Sequence, residues 1–139
     1  MGQSLSQVYV HITFSTKERH PFIDDGIKEE LWNYIGGTCK ALECPPVRVG
    51  GHSDHVHICC LLSKKISQVK LLEEIKKESS KWIKTKGWQY GKFYWQDGYG
   101  IFSINPTEIG SVVAYGIPSL FYRFSSNMAP LTGLTTVHR

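Results

Sequence analysis

Residues 45–62 read PPVRVGGHSDHVHICCLL, two apolar runs held apart by GGHSD, where Gly50, Gly51, Ser53 and Asp54 supply turn chemistry. This predicts a β-hairpin with strands over 46–51 and 55–62, and the segments around a central hairpin decide the fold. Before it, Val8, Val10, Ile12 and Phe14 alternate with Tyr9, His11 and Thr13, the period-two signature of a half-buried strand over 7–15. DDGIKEELWNYIGGTCKAL then carries Ile27, Leu31, Tyr34, Ile35, Cys39 and Leu42 at helical spacing, predicting a helix over 25–42 weakened by Gly36 and Gly37. After the hairpin, SKKISQVKLLEEIKKESSKWIKTKG places Ile66, Val69, Leu72, Ile75, Ser79 and Ile83 on one helical face and stops at Gly87, where a left-handed cap is easy. FYWQDGYGIFSI supplies a further aromatic-rich strand or strand pair around QDGYG. NPTEIGSVVAYG opens a last helix with Asn105 as N-cap, Pro106 at its first position and Glu108 as a capping-box acid. The order strand, helix, strand, strand, helix, strand, helix suggests an α+β chain. Its form is a ferredoxin-like (split βαβ) antiparallel sheet with helices on one face and the other face free for a site.

At 139 residues the sequence reads as one domain over 1–139, with a 41% hydrophobic share large enough for a core without disulfides. Cys39, Cys44, Cys59 and Cys60 form no CxxC pair and read as reduced core thiols, a zinc site using Cys59 with the nearby histidines being the alternative. The start of the chain alternates polar and apolar residues unlike a signal peptide, and no segment approaches a membrane span, so a cytoplasmic protein with no membrane partner is expected. Sixteen Lys and Arg against twelve Asp and Glu give +4, which permits a polyanionic partner without demanding one.

His55 and His57 are two apart on a predicted strand and share a face, with about 6.6 Å between their Cα atoms at the strand rise. They can converge on one divalent cation while Val56 and Ile58 point into the layer beneath the helices. The alternative is one hydrogen-bonded core histidine beside an exposed one. Two imidazoles leave coordination positions open, so an ion held there could act as a Lewis acid on a phosphoryl oxygen; the donor chemistry favours manganese over magnesium. No Walker-type glycine loop suggests a nucleotide cofactor, so phosphoryl transfer needs a side-chain nucleophile. Tyr115 in SVVAYG is the candidate, anchored by Ile109, Val112 and Val113. A phenol attacking a phosphodiester keeps the ester available for religation, and a packing tyrosine with a surface hydroxyl is the alternative. Lys17, Arg19, Lys81 and Lys84 are candidate phosphate contacts. Trp95, Tyr99 and Phe102 either stack on bases or, the preferred reading, fill the core.

VYVHITFSTKERHPFI, GGHSDHVHICCLL, KKESSKWI, WQDGYGIFSI and VVAY occur in the order and spacing of the small single-tyrosine HUH transposases of bacterial and archaeal insertion sequences, the IS200-like family. The chain resembles that family over residues 6 to 115. The resemblance implies excision and insertion of single-stranded DNA, recognition of hairpins at element ends, and a homodimer whose tyrosine helix can complete the partner's site. It implies Mg²⁺ or Mn²⁺ held by His55 and His57, with Tyr115 forming a 5′-phosphotyrosine link and releasing a 3′ hydroxyl. Beyond Tyr115 the pattern departs. Ser119 stands where a metal-binding glutamine is expected, Tyr122 and Arg123 replace two histidines, and Gly116 with Pro118 should end or kink the helix. Either the tail is a genuine variant, or the frame shifted near residue 116 and the enzyme is weak or inactive. A relative that only binds hairpin single-stranded DNA is the second functional reading. A small RNA-binding module is the third, and it leaves the histidine pair unexplained.

Overall fold

The computed structural model describes residues 2–116. Four strands form one antiparallel sheet in the order β2-β3-β1-β4: β1 (Val8–Ser15), β2 (Pro46–His52), β3 (His55–Leu62) and β4 (Gly100–Ile104). β1 is central, pairing His11 with Cys59 and Thr13 with His57 on one side, and His11 with Phe102 on the other. Helices α1 (Lys28–Ala41) and α2 (Gln68–Lys84) lie on one sheet face, over a core that includes Val10, Ile12, Phe14, Val56, Ile58, Leu31, Ile35, Leu72 and Ile75. This is the split βαβ order expected from the sequence.

The elements differ from sequence expectation in ways local chemistry explains. α1 begins three residues later than predicted, because residues 25–27 form turns and the Asp24 carboxylate accepts from the Ile27 N–H at 3.0 Å. α2 starts at Gln68, where the Ser67 hydroxyl accepts from the Lys70 N–H at 3.1 Å. It ends at Lys84 with Thr85 as its cap, so Gly87, whose φ of 163° is extended, is not the left-handed cap expected. Val69 is exposed and Leu71 takes its place in the core. Around QDGYG only β4 is a strand among the described residues, joined by an isolated bridge between Thr16 and Trp95. Lys76 fastens that loop: its Nζ donates to the Gln96 and Gly98 carbonyls at 2.8 and 2.7 Å and lies 5.1 Å from the Phe14 ring centre.

Asn105 does cap the last helical segment, accepting from the Thr107 N–H at 3.0 Å, but a 3-10 turn over Pro106–Glu108 precedes α3 (Ile109–Tyr115). α3 lies on the opposite sheet face from α1 and α2, where Ile109 and Val112 pack on Cys59 and Ile104. It stops at Tyr115, as the sequence implies, with Gly116 at φ 89°. Pro118, Ser119, Tyr122 and Arg123 lie outside the described residues. All four cysteines are free and buried. No helix among the described residues is long and apolar enough to cross a membrane.

Candidate metal site

The face of the sheet away from α1 and α2 carries His11 and Thr13 from β1 and His55 and His57 from β3, all buried. The alternation of β3 does this: Val56 and Ile58 enter the core and the histidines point the other way. The imidazoles of His55 and His57 stand edge to face, with ring centres 5.0 Å apart. β2 approaches closely beside them because Gly51, at φ 153°, has no Cβ; one built there would collide with the His55 carbonyl.

Each histidine is held from behind by a different partner. His55 Nδ1 lies 2.8 Å from Asp54 Oδ1, and the other Asp54 oxygen accepts from Arg19 Nε at 3.0 Å. Desolvation works against the Asp54 carboxylate, but hydrogen bonds from Arg19 and His55 outweigh it and hold its pKa below the ordinary value. A carboxylate fixed in this way draws the proton of His55 to Nδ1, leaving Nε2 as the lone pair. That Nε2 is buried and meets no hydrogen-bond partner among the described residues. Burial lowers the pKa of His55 as well, with Asp54 opposing. His57 Nδ1 lies 2.8 Å from His11 Nε2 in the buried interior. Burial, reinforced by the neighbouring imidazoles, takes His57 down to about 2, and burial takes His11 to about 4.

Two neutral imidazoles on one face, one with an orphaned buried nitrogen, fit a divalent cation as two of its ligands. No group of three or more His, Cys, Asp or Glu suited to a metal occurs among the described residues. Cys59 instead packs against Ile104 and Val112, which speaks against the zinc alternative.

Tyr115 ends α3 and is 88% exposed, whereas the imidazoles are buried. Arg48 on β2 donates through Nη1 to the Val113 carbonyl at 3.0 Å and so caps the helix that carries it. Lys17 and Lys81, singled out separately in the sequence, are both brought to the neighbourhood of Tyr94. Lys17 Nζ lies 5.6 Å from the Tyr94 ring centre, and Tyr94, Lys77, Ser80, Lys81 and Gln96 line a cavity of about 300 Å³. Arg19 does not join them, being committed to Asp54. Lys84 donates to Ser80 Oγ at 3.2 Å on the same helix. Trp95 is core, donating from Nε1 to Ser79 Oγ at 2.9 Å, Tyr99 packs at the core's edge, and Phe102 flanks His11. Tyr94 and Trp88 are instead exposed, at 55% and 93%. Sequence reasoning missed His11, Asp54 and Arg48; the polar position of His11 on an alternating strand was the only advance signal for the first.

The family model "Transposase IS200 like" matches residues 4–116. Among solved structures, a protein of Deinococcus radiodurans R1 described as a "putative transposase" superposes with a TM-score of 0.67 at 16% identity, covering 83% of this chain and 93% of that one. A REP-associated tyrosine transposase bound to a REP hairpin superposes with a TM-score of 0.57 at 16% identity, covering 83% and 67%. No curated protein sequence matches the chain.

Proposed function

The chain belongs to the IS200-like transposase family, and from that premise we propose that it cleaves and rejoins single-stranded DNA at hairpin-bearing element ends through Tyr115. The observation that carries this reading is the buried pair His55 and His57, presented on one sheet face with a relay of Arg19 and Asp54 behind the first. His55 and His57 would hold Mg²⁺ or Mn²⁺. Such an ion, when bound, polarises a non-bridging phosphoryl oxygen.

In the proposed step the Tyr115 phenolic oxygen attacks the phosphorus of a DNA phosphodiester. The new O–P bond forms as the P–O3′ bond breaks, giving a 5′-phosphotyrosine link and a 3′ hydroxyl that takes up a proton, while the phenol loses its own. The ester bond energy is retained, so a later 3′ hydroxyl can reverse the step on a different strand. The exposure of Tyr115 supports a homodimer in which the tyrosine helix of one protomer serves the histidines of its partner. Hairpin binding is proposed by analogy with the hairpin-bound neighbour. Lys17, Lys81 and Tyr94 would take the flanking strand.

The end of α3 at Tyr115, with Gly116 at its cap, favours a second reading, a protein that grips hairpin DNA without cutting it, since the helix that carries the tyrosine is only seven residues long. A denaturing gel of purified protein with labelled single-stranded DNA from its own locus separates the two. A shifted band with Mn²⁺, lost with EDTA and in Tyr115→Phe, is the expected outcome. Intact DNA alongside retained hairpin binding would establish the second reading.

A further inference from the structure

The hydrogen bond behind His57 carries a proton inventory of its own. A neutral imidazole has one N–H donor and one lone pair, so across the 2.8 Å contact between His57 Nδ1 and His11 Nε2 one ring donates and the other accepts. Both rings are buried and nearly parallel, with an interplanar angle of 12°. If His11 donates, the proton of His57 must sit on Nε2, and that nitrogen has no lone pair for a cation. If His57 donates, Nε2 is the ligand atom and His11 carries its own proton on Nδ1. The two arrangements differ only in which nitrogens hold the protons, yet only the second makes His57 a ligand.

We propose that His11 is a positioning residue: it accepts the Nδ1 proton of His57 and thereby fixes His57 with Nε2 open to the divalent cation. This rests on the metal-centre reading of the histidine pair. It gives the two ligands unlike outer partners, an anionic carboxylate behind His55 and a neutral imidazole behind His57. A carboxylate only accepts, so it imposes one tautomer on His55 outright. An imidazole can do either, so His57 depends on which nitrogen of His11 is protonated.

Replacing His11 with Leu fills a similar volume but removes the acceptor, and replacing it with Gln restores one through Oε1. Mn²⁺ uptake, followed through the loss of the free-ion EPR signal, is expected to weaken 10- to 100-fold in His11→Leu and to return to within a few-fold of wild type in His11→Gln. In ¹⁵N-histidine-labelled, metal-free wild-type protein, His57 is expected to carry its proton on Nδ1, a readout that packing alone does not set and that needs no variant. Unchanged uptake in His11→Leu, equal loss in both variants, or His57 protonated at Nε2 would overturn the proposal. A wild type that takes up no Mn²⁺ would overturn the metal reading instead, and the tautomer measurement then decides the role of His11 by itself.

Discussion

Asp54 is one covalent step from His55 and binds both Arg19 and His55, so one carboxylate ties the loop after β1 to the imidazole at the start of β3. In Asp54→Asn the amide retains a single acceptor oxygen for two donors and removes the anion. The expected result is a roughly tenfold loss of Mn²⁺ affinity and a stability cost of about 1–2 kcal/mol, read by metal titration and urea unfolding; Tyr115→Phe should leave both unchanged. A second partly buried charge gives a pH signature. Burial lowers the pKa of Lys76 to about 8, with Asp97 opposing, whereas the unfolded side chain titrates near 10.4. Between those values the unfolded chain binds more protons, so this group's contribution to stability rises with pH across the window and is flat below about 8. A neutral amine still has two N–H donors for the Gln96 and Gly98 carbonyls. Urea unfolding at pH 7.5 and 9.5 should therefore show a relative gain on the order of 2 kcal/mol in wild type that Lys76→Met lacks; equal pH responses would reject it.

At the scale of elements, α3 is the least self-sufficient piece of the site. Seven residues are too few to persist alone, so its place depends on Ile109 and Val112 against Cys59 and Ile104, and on Arg48 at its last carbonyls. Arg48→Ala should slow Tyr115–DNA adduct formation about 2- to 5-fold, the usual range for a cation at a helix C-terminus, without altering Mn²⁺ uptake. Arg48→Lys should recover part of the rate, and an unchanged adduct rate in the alanine variant would remove Arg48 from this role. The sequence made α3 visible through its NP start and apolar spacing, but not the cap on its end, because a contact from Arg48 to Val113 crosses 65 positions. The same limit hid His11: alternation set its strand face, while its pairing with His57 comes from the register of β1 on β3. Conversely, the helix limits that propensity misplaced were set by single side chains, Ser67 at the start of α2 and Asp24 before α1.

For the molecule as a whole, the central hairpin and flanking helices made the sheet order legible, since a split βαβ leaves few ways to pair four strands. What the sequence could not show was which scattered cations share a surface. Lys17 follows β1 and Lys81 lies late in α2, yet both reach Tyr94 or its cavity. The backbone there is stitched to the histidine end of the sheet, with Lys17 N–H donating to Tyr94 O at 2.8 Å and Thr16 N–H to Asp54 O at 2.9 Å. A strand lying in this groove would therefore lead toward His55. Lys77 adds less than its position suggests, because Glu74 accepts from it at 2.9 Å. If Lys17 and Lys81 each neutralise one phosphate, each alanine substitution should reduce the slope of log affinity against log salt by about 0.7, the single-strand value. Tyr94→Ala should act differently, weakening binding by about 1–3 kcal/mol through lost base stacking with the salt slope unchanged. Fluorescence anisotropy with a labelled single strand at several salt concentrations separates the two effects. Wild-type slopes in both lysine variants would place the DNA path on another surface.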